Sequence, residues 1–371
     1  MDEADRISEL SGLFAFLAET DYAGYSPLYE RMARVIAASP PLLAFIDAAS
    51  ATNTRRGRVP VLFMATLHDL ALRGVDPALT ALFEGAPATD AEIAAVLGDT
   101  IEHHRDALVT TMGSRSVQTN EVGRSAAIGA ALAGLDTDGR ALALVELGPS
   151  AGLNLYCDRW HVDWYRDGSP IAGSGPEDSP VRLECELRGP ADPPFGGCGP
   201  IAVRTGVDTA PIDVTDPDDA RWLQACVWPG LTERSERLAA AVAATAHDAP
   251  VLVRGDAVDA LVPLVAAIDP NLYPVVVSTW AMAYLSAEGR AAIVDGLDRV
   301  GAARDLALVT LEEPRFTPWV DAPTSDEPGE GQGTPTLLAL RRWHDGHCTS
   351  RPLAMCHPHV RWMQWSEEGS R

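Results

Sequence analysis

Apolar residues recur at helical spacing through the first 125 positions, and nowhere in this stretch do they alternate as in a strand. Four such segments lie at 26–36, 41–46, 61–70 and 76–83. The first has Pro27 in its opening turn, and Thr89 with Glu92 has the spacing of a capping box ahead of a helix that reaches about residue 111. The pattern predicts an all-helical module over 1–125, which would serve as a substrate lid or a dimerisation surface.

From about residue 126, strand-like apolar runs alternate with helical patterns, which is typical of an α/β fold with a parallel sheet. The predicted strands cover 141–147, 201–207, 250–254, 273–279, 305–311, 336–343 and 352–356. The predicted helices cover 121–134, 150–160, 217–246, 257–268 and 286–300. Only a short polar connection, His344 to Ser350, joins the last two strands, so we expect an antiparallel hairpin there. The sequence therefore predicts, over 126–371, a Rossmann-like, mostly parallel sheet of seven strands that ends in an antiparallel hairpin.

Two insertions interrupt this alternation. Residues 161–200 are rich in Gly and Pro and contain one strand-like run, 181–187. Residues 314–334 are acidic and rich in Pro and Gly, a composition that predicts a mobile surface loop.

The charge of the chain narrows the classes of function. Its net charge is -23, and all 29 basic residues are arginine. The absence of lysine excludes a lysine Schiff base, a pyridoxal-phosphate anchor and a P-loop lysine. Nucleic-acid binding needs a basic surface, so the acidic composition predicts a small-molecule substrate and no nucleic-acid partner.

The apolar runs and the cysteines allow a prediction of the cellular location of the protein. No apolar run reaches the roughly 20 residues that span a bilayer, and the acidic start of the chain differs from the basic, then apolar, start of a secretory signal. We therefore expect a cytoplasmic protein with no membrane partner. The six cysteines are scattered without a Cys-x-x-Cys pair, which favours reduced thiols over a disulfide framework or a zinc site.

The segment 142–154 predicts a ligand-binding turn. It begins as a buried strand that ends in Glu146 and continues into a turn containing Gly148, Ser150 and Gly152. Glycine lets a backbone turn tightly and approach a ligand closely, and the N–H groups of a following helix can receive a polar ligand group. The alternative is a tight strand–helix turn that binds nothing.

Polar or small residues also follow three other predicted strands, where ligands bind in open α/β sheets. Asp208 ends the second strand and could accept hydrogen bonds from two ribose hydroxyls. Asp256 follows the third strand and could accept from an adenine amine. Ser278 and Trp280 follow the fourth, with Tyr284 shortly after. An aspartate after a strand is also a common helix N-cap, and this alternative stays open for both aspartates.

These segments, taken in order, resemble the motifs of class I S-adenosylmethionine-dependent methyltransferases. The pattern Glu-x-Gly-x-Ser-x-Gly at 146–152 has Ser150 where a glycine is usual, and Gly-Asp-Ala stands at 255–257. In dinucleotide-binding dehydrogenases the acidic residue instead follows the glycines by about 20 residues. Asp208 departs from the usual spacing because of the 161–200 insertion. The resemblance implies that S-adenosylmethionine is bound by Glu146, Gly148, Ser150, Gly152, Asp208, Asp256 and Ser278.

A dense polar cluster precedes the first predicted strand, and its members are Arg115, Gln118, Asn120, Glu121 and Arg124. Arginine suits bidentate contacts with carboxylates, so one hypothesis is that the cluster binds a carboxylate of the substrate or cofactor. With equal weight, Asn120 or its neighbour caps the helix at 121–134 and the charges form pairs between domains.

Other candidates carry less weight. His68 and Tyr284 are weak candidates for a catalytic base, although His68 lies in an apolar helix pattern that favours a core histidine. Tyr156 could line a substrate pocket or belong to the core. His357 and His359 follow the antiparallel strand of the predicted hairpin, whose end should point away from the ligand edge, so we expect no metal there.

The turn at 148–152 also fits the Gly-x-Ser-x-Gly pattern of hydrolases, which would need a histidine after the last strands, such as His344 or His357. Glu146 ahead of the turn and the terminal hairpin fit the methyltransferase-like sheet better.

The chain as a whole resembles a family of uncharacterised bacterial proteins, seen mainly in actinobacteria. The matching segments are 26–29, 118–124, 146–155, 216–222 and 254–257. This resemblance implies no activity. The motifs lead us to expect methyl transfer from S-adenosylmethionine to a small molecule, chiefly by positioning of the reactants and without a metal. The alternatives are another displacement on the same fold, such as cyclisation of an amine onto a carbon bearing a leaving group, and a non-catalytic partner subunit. A homodimer or a heteromeric partner fits the helical module.

Overall fold

A computed structural model describes residues 2–51, 56–321 and 335–366. The contacts divide the chain into two compact units, one made of 1–119 with 216–239 and the other of 120–215 with 240–371. From residue 322 to 334, the predicted acidic loop lies outside the described residues.

The helices and strands of the described residues make this a mixed α/β protein with a helical N-terminal part. Its eleven α-helices are α1 (Glu3–Glu19), α2 (Pro27–Ala37), α3 (Pro40–Ala49), α4 (Val59–Leu72), α5 (Pro77–Phe83), α6 (Asp90–Ser114), α7 (Ser125–Ala133), α8 (Pro217–Ala225), α9 (Thr232–Thr245), α10 (Ala257–Ala266) and α11 (Ala287–Gly301). Its eleven strands are β1 (Leu142–Leu147), β2 (His161–Arg166), β3 (Ser169–Ser174), β4 (Arg182–Leu187), β5 (Ile201–Asp208), β6 (Val251–Arg254), β7 (Tyr273–Thr279), β8 (Leu306–Glu312), β9 (Thr336–His344), β10 (His347–Cys356) and β11 (Trp362–Trp365).

The first unit is helical, and its helices begin where local signals predict. The N–H of Glu92 donates to the Thr89 hydroxyl at 3.3 Å, and the N–H of Thr89 donates to the Glu92 carboxylate at 2.6 Å. This reciprocal capping box satisfies two N–H groups that the first turn of α6 leaves without helical partners. The predicted capping box is confirmed.

Residues 216–239 belong to the first unit because α8 packs on α4. The buried carboxylate of Asp69 on α4 accepts from Arg221 of α8 at 2.9 Å and from Arg73 at 2.7 Å. A buried carboxylate needs such partners to offset the loss of water. The role predicted for the helical part, a lid or a dimerisation module, stays a prediction.

The second unit contains one mixed sheet, with the strand order β3-β2-β4-β11-β10-β9-β8-β7-β1-β5-β6. Five neighbours, β6, β5, β1, β7 and β8, are parallel. The chain adds β5 and β6 on one side of β1 and then β7 and β8 on the other. The order therefore reverses between β1 and β7, which is the switch point of the sheet.

The sheet has eleven described strands where the sequence predicts seven. The predicted insertion 161–200 supplies β2, β3 and β4, and β11 follows the predicted last strand. All four continue the same sheet beyond β10. Two of its hairpins turn at Asp-Gly pairs, 167–168 and 345–346, in which both residues have positive φ. That geometry matches the twist of the flanking strands.

The direction of β10 corrects an expectation. The predicted hairpin is present, because β9 and β10 pair antiparallel. Since β9 is itself antiparallel to β8, β10 runs in the same direction as β8. The end of β10 therefore lies at the same edge of the sheet as the ends of β1 and β7. The expectation that His357 and His359 point away from this edge is wrong.

Behind the glycine turn, a helix predicted at 150–160 is absent, and 153–156 form a single 3₁₀ turn. Side chains, and not the backbone N–H groups of a longer helix, donate hydrogen bonds to the carbonyl groups of this turn. The indole N–H of Trp160 donates to the carbonyl of Leu153 at 3.2 Å, and Arg204 donates to that of Leu155. The helix predicted at 217–246 is also divided, into α8 and α9.

The core of the second unit lies between the parallel strands and two helices. Side chains of β1, β7 and β8 pack against α10 and α11, through residues such as Leu261, Val265, Ile293 and Leu297. Burial of these aliphatic groups contributes roughly 1.5–3 kcal/mol each. The packing fixes the strand ends that carry the site.

Among the described residues, no single helix combines the length and apolar character needed to cross a membrane, although α2 and α3, bent by 97°, pass the same test as a pair.

Candidate functional site

The glycine turn after β1 depends on left-handed backbone. Gly148, Ser150 and Gly152 have φ of 66°, 55° and 71°. A Cβ added at Gly152 would lie 2.7 Å from Cγ of Pro250, and one at Gly148 would lie 2.9 Å from Cβ of Ala281. These two positions therefore require glycine on both conformational and steric grounds.

Asp208, at the end of β5, fixes the turn after β1. Its Oδ2 accepts from the N–H of Ser150 at 2.9 Å, and its Oδ1 accepts from the N–H of Ala210 at 2.8 Å. A carboxylate has about four acceptor positions, so two remain for other donors. The structure thus places Asp208 beside Ser150 and gives it a structural role in the turn.

Asn120 holds the same turn from a second side. Its Oδ1 accepts from the N–H of Leu153 at 3.0 Å, and its Nδ2 donates to the carbonyl of Pro149 at 3.3 Å. The cap that follows belongs instead to Glu121, whose Oε1 accepts from the N–H of Gly123 at 3.1 Å. Of the predicted polar cluster, Asn120, Glu121 and Arg124 belong to the second unit.

Glu146, at the end of β1, is a buried acid. Its side chain is 1% exposed, and Asn154 donates a hydrogen bond to it while accepting one from the Ser125 hydroxyl at 2.9 Å. Burial raises the pKa of Glu146 to about 8, with a further increase from Asp208, while Arg124 and Asn154 act in the opposite direction. Glu146 is therefore largely protonated at neutral pH. Its Oε2 has no hydrogen-bond partner among the described residues.

Glu312, at the end of β8, organises the turn after β7. Its Oε1 accepts from the Ser278 hydroxyl at 2.7 Å and from the N–H groups of Ala281 and Met282 at 2.9 and 3.1 Å. Burial raises the pKa of this fully buried carboxyl, against the effect of these donors. The turn that Glu312 holds contains Trp280 in a left-handed conformation with φ of 58°.

Arg124 is the buried cation of this region. It is 6% exposed and donates to the carbonyls of Pro358 and Thr279, each at 3.2 Å. Its guanidinium lies 6.0 Å from the centre of the Trp280 ring. The positive charge lowers the pKa of both Glu146 and Glu312, though less than burial raises it.

The loop after β10 brings two histidines to the same region. The Nδ1 of His359 lies 3.3 Å from Oε2 of the buried Glu121, and the N–H of His359 donates to Nδ1 of His357 at 3.0 Å. Burial, followed by the neighbouring His359 and Arg361, lowers the pKa of His357 to about 4. His357 is therefore neutral at physiological pH.

Three predicted residues of the second unit have other surroundings. Asp256 is exposed and caps α10 by accepting from the N–H of Val258 at 2.9 Å. Tyr156 is fully buried, and its hydroxyl donates to the carbonyl of Asp248. Tyr284 is 53% exposed. Asp256 therefore acts as a helix N-cap, and Tyr156 belongs to the core.

The remaining predicted residues belong to the first unit. Arg115 forms an ion pair with Asp219, and Gln118 donates from its backbone to the Cys226 sulfur at 3.4 Å. His68 bonds through Nδ1 to the carbonyl of Ala225 at 3.0 Å, and burial lowers its pKa to about 4. His68 thus has the contacts of a partnered core histidine.

A carboxylate cluster lies at the opposite edge of the sheet. Asp138, Asp305 and His344 place potential metal-ligand atoms within 4.8 Å of one another. Arg140 already forms ion pairs with both aspartates, at 3.0 and 2.6 Å. Its guanidinium supplies the positive charge that this cluster needs.

Three residues with strained backbone lie at the edge that carries the glycine turn. Six described non-glycine residues have positive φ, and three of them, at 138, 167 and 345, are aspartates that precede a glycine. The other three are Ser150, Trp280 and Val360, which follow β1, β7 and β10. Positive φ is uncommon for such residues and is a genuine outlier for a bulky or β-branched one. All three lie beyond strand ends at one edge of the sheet.

Over residues 12–365 the chain matches the family described as uncharacterized protein conserved in bacteria (DUF2332). The chain belongs to this family. The predicted membership of an uncharacterised bacterial family is confirmed. No curated protein matches the chain.

Sequence reasoning missed several polar groups of this edge, chiefly Glu312, Asn154 and His359. Glu312 ends an apolar strand as Glu146 does, so the same test of strand ends would have found it. His359 was set aside because β10 was expected to run the other way. Asn154 lies inside the resembling motif, and its sequence position gave no sign of its contact with Glu146.

Proposed function

We propose that this protein binds S-adenosylmethionine at the carboxyl ends of β1, β5, β6 and β7 and transfers its methyl group to a small-molecule acceptor. The observation that carries the proposal is the left-handed turn at 148–152, which Asp208 and Asn120 fix beside the switch point of the sheet. Ligands of open α/β sheets bind at such switch points. The order β6-β5-β1-β7-β8 of the five parallel strands supports a Rossmann-like domain, and the additional strands lie on the far side of β10.

The residues of the turn fit an adenosyl ligand. Ser150 has a buried hydroxyl without a hydrogen-bond partner among the described residues. Asp208 keeps acceptor positions for ribose hydroxyls, and the exposed carboxylate of Asp256 can accept from an adenine amine while capping α10.

Bound S-adenosylmethionine would supply an activated methyl group, and the protein would contribute mainly position. Holding two reactants in line can account for a large part of a displacement rate, so no strong base is needed. Glu146 is largely neutral at pH 7 and therefore shapes the turn more than it attracts a cation. The net charge of -23 favours a small acceptor over a nucleic acid.

The test is calorimetric titration of the whole protein with S-adenosylmethionine and S-adenosylhomocysteine. We expect micromolar binding that Asp256→Ala weakens by tenfold or more. Asp216→Ala is the matched control, because Asp216 caps α8 in the first unit through the same kind of contact, at 2.7 Å to the N–H of Asp218. If the folded protein binds neither ligand, the proposal is wrong, and a cofactor-free enzyme or a non-catalytic partner subunit becomes the better hypothesis.

A second candidate is a different displacement on the same fold, such as cyclisation of an amine onto a carbon bearing a leaving group. Ser150 in place of the usual glycine and the insertion at 161–200 leave room for it. Incubation with S-adenosylmethionine labelled in its methyl group separates the two, when it is combined with simple amines and with amines that carry a leaving group on a carbon within ring-closing distance. Label in an amine supports methyl transfer, whereas a cyclised product without label supports the second candidate.

A further inference from the structure

The loop between β10 and β11 holds His359 in one position. The N–H of Val360 donates to the carbonyl of His357 at 2.8 Å and closes a turn around the residue. Arg124 donates to the carbonyl of Pro358 at 3.2 Å. Val360 has a positive φ of 55°, which is a genuine outlier for a β-branched residue. Strain that surrounding contacts maintain beside a polar side chain is typical of functional sites.

The buried carboxylate of Glu121 lies against the ring of His359. Its Oε2 is 3.3 Å from Nδ1 of the histidine, and its Oε1 accepts from the N–H of Gly123 at 3.1 Å, so both oxygens are placed. The two segments touch, because a Cβ added at Gly123 would lie 2.8 Å from the carbonyl oxygen of His359. A carboxylate beside one ring nitrogen favours the tautomer that carries its proton there. The lone pair of the neutral His359 ring is therefore on Nε2.

His359 also lies close to the turn after β7. The guanidinium of Arg124 donates to the carbonyl of Pro358 and to that of Thr279, each at 3.2 Å, so a single side chain joins the histidine loop to this turn. The side chain of His359 is 23% exposed although its Nδ1 is buried, so its exposed part lies away from the carboxylate. In the turn, Trp280 has a buried indole N–H without a hydrogen-bond partner among the described residues. The oxygen or neutral nitrogen of a ligand can accept from such an N–H.

We propose that His359 is the proton acceptor of the methyl transfer and that Glu121 is the residue that positions its ring. The substrate class that follows is a small molecule whose acceptor atom carries a proton, as in a phenol or an amine. This inference rests on the proposed function. A histidine is a weak base, which suits a displacement that depends mainly on the position of the reactants.

The proton and the electron pairs balance in this step. The acceptor oxygen or nitrogen uses a lone pair to form its bond to the methyl carbon, while the S–CH3 bond breaks and its electron pair stays on sulfur. The proton of the acceptor atom moves to Nε2 of His359. The products are the methylated acceptor, S-adenosylhomocysteine and an imidazolium, which returns its proton to water.

The first measurement is the tautomer of His359, which needs no acceptor. Long-range 1H–15N NMR spectra of the whole protein, labelled in histidine and assigned with His359→Gln, report which ring nitrogen carries the proton. We expect the proton on Nδ1 of the neutral ring. Glu121→Gln should move the titration of His359 to lower pH, because it removes the adjacent negative charge and keeps an acceptor for the N–H of Gly123. A neutral ring with its proton on Nε2 would overturn the proposal.

The second measurement is methyl transfer from labelled S-adenosylmethionine to phenols and primary amines, beside carboxylates and thioethers, whose acceptor atoms carry no proton at neutral pH. We expect label in a phenol or an amine. His359→Gln should lower kcat by about 100-fold or more and remove the rise of the rate with pH that a histidine base gives. The binding of S-adenosylmethionine, measured by calorimetry, should not change. His347→Gln is the matched control and should keep the wild-type rate, because His347 is an exposed histidine at the other end of β10.

The outcomes separate this inference from the proposed function. If the wild type binds no S-adenosylmethionine, methyl transfer is wrong, and the role of His359 is wrong with it. If the cofactor binds but no phenol or amine is labelled, or if His359→Gln keeps the wild-type rate, only the assignment of His359 is wrong. Label in carboxylates or thioethers alone would likewise overturn this assignment and leave methyl transfer intact.

Discussion

Replacing Glu146 by glutamine should remove a specific pH dependence from the stability of the protein. The pKa of this buried carboxyl is about 8 in the fold and 4.5 without its surroundings. Between these values the folded state holds a proton that the unfolded state has released, so the unfolding free energy falls as pH rises. The slope is about 1.4 kcal/mol per pH unit for one group. From pH 5 to pH 7.5, Glu146 therefore costs the wild type about 3 kcal/mol.

Glutamine has the shape of the protonated acid and no charge to lose. The side-chain carbonyl of glutamine can accept the hydrogen bond from Asn154. Its NH2 group would take the place of Oε2, which has no hydrogen-bond partner among the described residues. We therefore expect Glu146→Gln to be close to the wild type in stability at pH 5 and more stable by about 3 kcal/mol at pH 7.5.

The assay is urea unfolding of both proteins at several pH values, compared as the difference between their free energies. The contributions of all titratable groups that both proteins share cancel in this difference. Glu184→Gln serves as the control, because it neutralises an exposed glutamate on β4 and should leave the difference from wild type nearly constant. A Glu146→Gln difference that stays constant from pH 5 to 7.5 would show that the carboxyl is ionised in the fold and would refute the reasoning.

Three further changes test separate features. Gly152→Ala should lower the unfolding free energy by about 1–3 kcal/mol in urea titration, because the new methyl group would lie 2.7 Å from Pro250 in a left-handed backbone. Ser150→Gly should raise it by about 1 kcal/mol in the same assay, since it relieves positive φ and removes a buried hydroxyl without a partner. His68 is neutral in the fold with pKa about 4, so the wild type should lose about 1.6 kcal/mol between pH 6.5 and pH 5 as the unfolded histidine takes a proton. His68→Gln should lack that loss when unfolding is measured at both pH values.

The parallel half of the sheet could be predicted because its strands are buried on both faces. Such strands are continuous apolar runs that need little context to be recognised. The predicted strand 273–279 coincides with β7, and 141–147 differs from β1 by one residue. The N-terminal helices were predictable for a different local reason. A capping residue or a proline marks the start of several of them.

The other half of the sheet could not be predicted in the same way. The strand-like run 181–187 in the insertion corresponds to β4, whose buried positions alternate with exposed or partly exposed ones. In β3, however, every side chain is exposed or partly exposed. Short runs of this kind resemble loops when they are rich in Gly and Pro. The Asp-Gly pairs at 167–168 and 345–346 were nonetheless available as hairpin signals.

The direction of β10 in the sheet could not be predicted from any local sequence signal. A hairpin in the sequence establishes that two strands are antiparallel to each other, but not which of them joins the rest of the sheet. Here β9 pairs with β8 in the antiparallel sense, and β10 regains the direction of the parallel strands. The candidate site gained His357 and His359 for this reason alone.

The difference in burial between the acidic residues of the site could not be predicted from the sequence either. Glu146 and Asp208 are both acids at strand ends, and the sequence gives them the same expected role. Burial separates them, because Glu146 is enclosed while Asp208 is partly exposed and accepts from two backbone N–H groups. Desolvation depends on every element packed around a group, so it can be read only from the complete fold.

The strained residues at this edge of the sheet support the proposal of a ligand site. The three strained aspartates have a local explanation, because an Asp-Gly turn favours positive φ. Ser150 and Trp280 have none, and an ordinary strand–helix turn needs no such conformation. Both are nevertheless held by buried or partly buried carboxylates, Ser150 by Asp208 and the turn of Trp280 by Glu312. Strain that its surroundings maintain in this way, on neighbouring strands at a switch point, is characteristic of ligand sites more than of folding alone.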